Sequence, residues 1–357
     1  YGHEQTDEVK EPQRSQKKLI RDYKLKKKLG EGSFGCVYQA KHVLTKQKVA
    51  IKLIATRSSA HRLAVLKEAS ILRHLNHDQQ DFHILQLVES FELSPVELPV
   101  PLSSFPGLPA DNELLTRTIV CIVTEYIKGG DLIDYVQERT RLKEEDAAKL
   151  FRQLLTAIQW CHYKGIAHRD IKLENIMMAS KTCLKLIDFG LSQFVKPNTV
   201  FNNFVGSVIY TAPEIFRGEE YNGFTADVWS CGVVLYAMVT GEFPWEGATS
   251  KDHAKHIAAG HWIEPTTISV ECLDLLKSIL TKHPQDRFSI HEILNHPWMQ
   301  KYTTTKRQSA ERSIASGKQE LTPTSSQESP RTQRKLFGGL FKKKQSSTVI
   351  ECSQNNT

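Results

Sequence analysis

His168-Arg169-Asp170-Ile171-Lys172-Leu173-Glu174-Asn175 is the stretch on which the reading of this chain turns, and its neighbours in both directions sharpen it. Downstream, the strand-like run Leu184 to Ile187 leads into Asp188-Phe189-Gly190, and Ala212-Pro213-Glu214 comes later. Upstream stand Gly30-Glu31-Gly32-Ser33-Phe34-Gly35-Cys36-Val37 and then Val49-Ala50-Ile51-Lys52. The five motifs keep one order between Gly30 and Glu214.

Glycines let a backbone approach phosphate oxygens closely and adopt conformations that a Cβ forbids. Alone, the glycine pattern also fits a dinucleotide fingerprint or a plain hairpin turn. Strand-like residues follow it, Val37 and Tyr38, then Val49 to Ile54, and no strand–helix–strand unit appears, which argues against the dinucleotide reading. Lys52 lies 17 residues after Gly35, on the next strand. A lysine ending an apolar strand is ordinarily a solvated edge residue; here it can reach phosphates. Leu63, Leu66, Ile71 and Leu72 have helical spacing, with Glu68 inside the helix as the natural ion-pair partner of Lys52. A solvated helix face is the plain alternative for Glu68.

Taken together, the five motifs resemble those of the eukaryotic serine/threonine protein kinases over residues 23–298. Helix spacing and Gly241-Glu242-Phe243-Pro244-Trp245 look most like the calmodulin-dependent and checkpoint-type branch. The resemblance implies an α+β, two-lobed protein-kinase fold: a small, mainly antiparallel β lobe with one helix (23–124), a hinge (125–128) and a larger helical lobe (129–298). It implies transfer of the ATP γ-phosphate, with Mg2+, to serine or threonine in proteins.

On the positions that match, Asp170 accepts the substrate hydroxyl's hydrogen, Lys172 contacts the γ-phosphate, and Asn175 and Asp188 hold magnesium. Leu29, Gly30, Glu31, Gly32, Ser33, Phe34 and Gly35 belong to the loop over the phosphates. Lys52, positioned by Glu68, holds the α- and β-phosphates. Val37, Ala50 and Met177 sandwich adenine, Glu125, Tyr126 and Ile127 form the hinge, and Thr124 is the gatekeeper. Leu72, His168 and Phe189 resemble the hydrophobic column, Glu214 and Arg287 the buried ion pair, and Asp227 the support of the catalytic loop. A catalytically weak scaffold of the same fold is the rival reading; it calls for damage at Lys52, Asp170, Asn175 or Asp188, and all four are intact.

The resemblance also reaches specificity and control. Glu174 and Asp131 match positions that pair with an arginine three residues before the target, although Asp131 also suits a helix cap. Leu191 goes with serine over threonine, and Ala237 removes an acid often used for a second arginine, so Arg-x-x-Ser is expected. Arg169 usually anchors an activation-loop phosphate, yet Asn203, three residues before Gly206, cannot carry one. Thr199 is the nearest acceptor upstream. Of the two outcomes, a loop ordered without phosphate is preferred to Thr199 acting from a shifted register, and Ser207 is expected to bond the catalytic loop.

Outside the motifs the chain reads more simply. Net charge is +7. Residues 1–28 hold nine basic and five acidic side chains and residues 299–357 hold eleven and four, so the middle is mildly acidic, which suits a cleft for basic peptides and not a nucleic-acid surface. Residues 1–22 and the basic tail 299–357 are expected to be disordered, with packing signals ending at Trp298. Five prolines make 94–112 a long surface loop. Ala147, Leu150, Phe151, Leu154, Leu155, Ile158 and Cys161 make one helical stripe, and Thr225 is placed as the cap of a buried helix ending at Thr240. Seven scattered cysteines without a C-x-x-C pair point to free thiols rather than zinc or disulfides. With no apolar leader and no apolar run long enough to span a bilayer, an intracellular protein of cytoplasm or nucleus, monomeric, is expected. Residues 331–344 combine six basic residues with Leu336, Phe337, Leu340 and Phe341, which suits an anionic membrane or a calmodulin-like partner.

Overall fold

Apolar residues at every second position make the first strands. In the computed structural model, which describes residues 19–32, 35–78, 82–99, 118–196, 198–247 and 249–302, six strands form one sheet. They are β1 (Leu19–Ile20), β2 (Tyr23–Gly32), β3 (Gly35–His42), β4 (Lys48–Ala55), β5 (Leu87–Leu93) and β6 (Ile119–Glu125), in the order β1-β2-β3-β4-β6-β5. The pairs β1–β2, β2–β3, β3–β4 and β4–β6 are antiparallel.

Register sorts these residues onto two faces, because side chains alternate along a strand. Cys36, Tyr38 and Ala40 on β3, Val49, Ile51, Leu53 and Ala55 on β4, and Ile119, Cys121 and Val123 on β6 share one buried core with Tyr23, Leu25, Phe91 and Leu93. Each such aliphatic contributes roughly 1.5–3 kcal/mol by leaving water. The opposite face carries Val37, Ala50, Lys52, Ile122 and Thr124: Val37 is opposite Lys52, Lys52 opposite Ile122, and Ala50 opposite Thr124.

The chain packs as two compact units, Tyr1–Arg62 with Val88–Tyr126, and Leu63–Leu87 with Ile127–Thr357. The division falls inside α1 (Ser59–Leu75), so the expected lobe 23–124 and the packed unit differ by residues 63–87. The reason is visible in the contacts after α1: Leu75 O accepts from Trp160 Nε1 at 3.0 Å, and Leu85 N donates to Leu186 O at 3.0 Å.

The second unit continues with α2 (Leu132–Gln137), α3 (Glu144–Tyr163), β7 (Ile166–Ala167), β8 (Ile176–Ser180), β9 (Cys183–Leu186) and β10 (Gln193–Phe194). After these come α4 (Pro213–Phe216), α5 (Gly223–Thr240), α6 (Ser250–Ala259), α7 (Val270–Ile279) and α8 (Ile290–Asn295). β8 pairs with β9 and β10 with β7, leaving the loops between them to carry the catalytic motif. The stripe predicted on α3 is buried throughout, from Ala147 to Cys161. α5 is long and apolar enough to cross a membrane, but 78% of it is buried inside this unit, as a core helix should be.

Three expectations change. The cap of α5 is Asn222, not Thr225: Asn222 Oδ1 accepts from Phe224 N (2.8 Å) and Thr225 N (3.4 Å), while the Thr225 hydroxyl turns back to Asn222 O (3.0 Å) inside the first turn. Packing continues past Trp298. Met299 is buried, and Glu144 Oε2 accepts from both Trp298 Nε1 (2.7 Å) and Tyr302 OH (3.4 Å). Within 94–112, Pro95–Glu97 is one 3-10 turn, with Ser94 N donating to Glu97 Oε2 at 2.7 Å. Residues 1–18, 100–117 and 303–357 lie outside the described residues, so the lead-in, most of the proline-rich insert and the tail are not among the elements above.

Candidate active site

Asp227, in α5 and 1% exposed, fixes the catalytic loop by its backbone. Its Oδ2 accepts from His168 N (2.9 Å) and His162 Nε2 (2.9 Å), and its Oδ1 from Arg169 N (2.8 Å). These bonds hold Arg169 at φ +68, a conformation that L residues seldom adopt. Asp188 is a second such residue, at φ +58.

The turn presents the Asp170 carboxylate to a convergent set of donors. Asp170 Oδ2 accepts from Lys172 Nζ (2.7 Å) and Asn175 Nδ2 (2.9 Å). Lys172 Nζ also donates to Ser207 Oγ (3.0 Å), and the Ser207 hydroxyl lies 3.4 Å from Asp170 Oδ1, the bond to the catalytic loop expected of it. Beneath, burial pushes the His168 pKa below its ordinary value, against the opposing pull of Asp227 and Asp170. A neutral ring protonated on Nε2 fits both neighbours: Nε2 donates to Ile187 O (3.2 Å), and Nδ1 accepts from Asp170 N (3.3 Å). The His168 ring meets Phe189 edge-on at 4.9 Å, and Leu72 and Phe189 are fully buried, as the hydrophobic column requires.

The strand end at Ile187 is tied to the loop by Ile187 N donating to Asn175 O (2.9 Å), which brings the segment of Asp188 beside Asn175. Glu68 is 6% exposed and lies against the same segment: a Cβ added at Gly190 would stand 3.7 Å from Glu68 Oε2 and 3.2 Å from Asp188 Oδ1. Since the amide nitrogen of Asn175 is spent on Asp170, its carbonyl oxygen and the Asp188 carboxylate form an all-oxygen donor set suited to a hard cation. Among the described residues no group of three His, Cys, Asp or Glu could hold a metal by itself. Mg2+ asks for less, since it is usually held by one or two carboxylates together with substrate phosphates and waters.

The family comparison agrees with this geometry. Residues 23–299 match the family described as the protein kinase domain. The chain belongs to the protein kinase family. It is similar to the probable serine/threonine-protein kinase MARK-C of Dictyostelium discoideum, 35% identical over 281 residues, covering 78% of this chain and 33% of that protein. It is also similar to the serine/threonine-protein kinase SIK1 of Mus musculus, 35% identical over 280 residues, covering 78% of this chain and 32% of that protein. The chain spans about a third of the length of these curated relatives.

In the smaller unit of this kinase, Lys52, Ala50, Val37 and Thr124 share the sheet face opposite the core, and Thr124 closes β6 with Glu125. Gly35 could not carry a side chain, since a Cβ would fall 2.1 Å from Leu53 O. Gly30 is opposite Val37, Gly32 is opposite Gly35, Leu29 is 39% exposed, and Glu31 accepts from Lys28 Nζ (2.5 Å). Ser33 and Phe34 lie outside the described residues. In the larger unit, Ile127 is buried and Met177 on β8 bridges to Asp131.

Arg169 is the centre of a cluster of side chains from the segment after Asp188-Phe189-Gly190. Arg169 Nη2 donates to Asn203 Oδ1 (2.8 Å) and to Tyr221 OH (3.2 Å), the Tyr221 hydroxyl donates to Asn203 O (3.0 Å), and the guanidinium lies 4.2 Å from the Phe201 ring centre. Among the described residues Thr199 makes no hydrogen bond to Arg169; its backbone N–H donates to Lys196 O (3.1 Å). Gly206 takes φ +92 where a Cβ would meet Arg169 O at 2.8 Å.

Glu174 is exposed as a residue, but its carboxylate accepts from the buried Tyr210 hydroxyl (3.1 Å), and burial of that carboxylate raises its pKa above the ordinary glutamate value against the opposing pull of Lys172 and Tyr210. Asp131 does cap α2, accepting from Asp134 N (3.0 Å). Glu214 and Arg287 form the expected buried pair, bidentate at 3.1 Å on both arms. Tyr210, Tyr221, Phe201 and His162 were missed by sequence reasoning, because nothing local marks a residue whose partner is tens of positions away.

Proposed function

We propose that this chain is a serine/threonine protein kinase that transfers the γ-phosphate of ATP to hydroxyls of protein substrates. The observation that carries this is the Asp170 carboxylate, oriented by Lys172, Asn175 and Ser207 in a loop whose backbone is fixed by Asp227. A carboxylate so held is placed to take the proton of an attacking hydroxyl, and Lys172 beside it is placed to meet negative charge on the transferring group. Asn175 Oδ1 and the Asp188 carboxylate would hold Mg2+, which when bound neutralises phosphate charge. Lys52 is assigned to the α- and β-phosphates, Glu68 to its positioning, the Leu29–Gly35 segment to the phosphates, and Val37, Ala50, Thr124, Glu125, Ile127 and Met177 to adenine.

Substrates of Arg-x-x-Ser type are the finer reading. Glu174 supplies a carboxylate for the arginine, and Asp131, which caps α2 through Oδ1, is the second acid assigned to it. The neutral clamp on Arg169 supports a kinase active without activation-loop phosphate. Buried free thiols, with Cys121 pushed up to about 12 by burial, suit a reducing compartment, and we place the protein in cytoplasm or nucleus.

The test is purified chain with ATP, Mg2+ and a degenerate serine/threonine peptide library, beside Asp170→Asn. Phosphate on peptide from the parent and not from the variant supports the reading. Equal incorporation by both, or none by either, sinks it in favour of the scaffold.

A further inference from the structure

Strand register places three lysines in a row. Lys24 on β2 lies opposite Lys41 on β3, and Lys41 lies opposite Lys48 on β4. All three are exposed, and none forms an ion pair among the described residues. Like charges directly opposite one another weaken a sheet, so this ladder has a cost that a bound anionic surface would remove.

Between Lys41 and Lys48 the chain reverses, and the turn exposes Leu44 (78%) and Val43 (39%). The turn is well built. His42 Nδ1 accepts from Leu44 N (3.3 Å) and Thr45 N (3.1 Å), Lys46 Nζ donates to Val43 O (2.6 Å), and Val43 N donates to Asp22 O (2.7 Å). Asp22 lies beside the turn and Glu125 is opposite Val49, one residue from Lys48, so two acids stand against Lys24, Lys41, Lys46 and Lys48.

We propose that this end of the sheet docks on an anionic lipid bilayer, with Leu44 and Val43 entering the boundary between headgroups and acyl chains and the four lysines meeting lipid phosphates. Two features select a bilayer. The apolar residues sit on an exposed turn rather than in a groove that could receive a peptide, and cationic charge surrounds them, the pairing that interfacial anchors use. Residues 331–344 repeat that chemistry in composition, six basic residues with two Leu-Phe pairs, and stable anchoring takes two signals where one gives only marginal, reversible binding.

The full chain is sedimented with phosphatidylcholine vesicles containing or lacking phosphatidylserine, as parent, Lys41→Gln and Leu44→Ser, each with and without a deletion of 331–344. Thermal melting checks the fold, and peptide phosphorylation in solution is expected to be unchanged. Binding should require phosphatidylserine and weaken with salt, and Lys41→Gln should lower it about fivefold. Leu44→Ser should lower it as well, and both losses should persist without 331–344. Binding equal to the parent in both variants overturns the proposal. So does loss on Lys41→Gln alone with full competition by soluble heparin, which would make the occupant a polyanion. Self-association lost on Leu44→Ser without any vesicle binding would make it a second copy of the chain.

Discussion

Arg169 donates to the side-chain oxygen of Asn203 at 2.8 Å across 34 residues of sequence, so a neutral amide answers the arginine that we propose needs no activation-loop phosphate. The same arginine is backed by Tyr221 and Phe201. Phosphatase-treated protein should therefore keep its activity on peptide. Asn203→Ala removes a hydrogen bond to a charged group, worth about 1.5–3 kcal/mol, and should lower kcat/KM roughly tenfold or more. A preparation that is inactive until Thr199 is phosphorylated would show that the clamp does not order the loop.

Asp170→Ala should reduce phosphate transfer by about 10²–10⁴-fold, the usual range for loss of a positioned acid–base group, and Lys52→Met and Asp188→Asn should each nearly abolish it by removing a phosphate contact and a metal ligand. All three proteins should melt near the parent temperature. Full activity of Asp188→Asn in Mg2+ would remove Asp188 from the metal site.

Burial of the Glu174 carboxylate raises its pKa, although the hydrogen bond from Tyr210 works against the rise. A raised pKa means that the neutral form appears at higher pH than for an ordinary glutamate, near 4.3. The KM for an Arg-x-x-Ser peptide should thus climb on acidification from above that value, while the KM of the Arg→Ala peptide stays flat. Glu174→Gln should abolish the difference between the two peptides. Equal KM profiles in the parent would take Glu174 out of arginine recognition.

Gly206 sits at φ +92 against Arg169 O, with Asp170 Oδ1 3.4 Å from where a Cβ would be. Gly206→Ala should both lower the melting temperature and cut kcat, because the strain falls on the catalytic carboxylate. Loss of stability with kcat intact would separate the two.

Glu144 gathers Ser269 N (2.7 Å), Ser269 Oγ (2.6 Å) and Trp298 Nε1 (2.7 Å). Burial opposes its ionisation, but these bonds prevail and hold its carboxyl below the usual glutamate value. A depressed carboxylate pKa gives stability that is present above the unfolded value and lost as pH falls through the folded one. Glu144→Ala should lower the melting temperature at pH 7 and flatten the acid side of the stability profile. An unchanged acid limb would assign the acid sensitivity elsewhere.

What the sequence by itself determined is the family and most of the elements. Phosphoryl transfer needs particular residue types in a particular order, and His168 to Asn175, Asp188 to Gly190 and Lys52 carry them; the alternation in β3 and β4 and the stripe on α3 are local patterns that any reader of the chain can count. Capping was legible only in part, since Asn222 and Thr225 are both capping residues and only the backbone course chose between them. The tertiary structure alone decided which residue answers Arg169, that Tyr210 donates to Glu174, that His162 joins Asp227, and that Lys24, Lys41 and Lys48 stand in one row. Those relationships follow from strand register and from loops that close over tens of residues, and no pattern of neighbours along the chain encodes them.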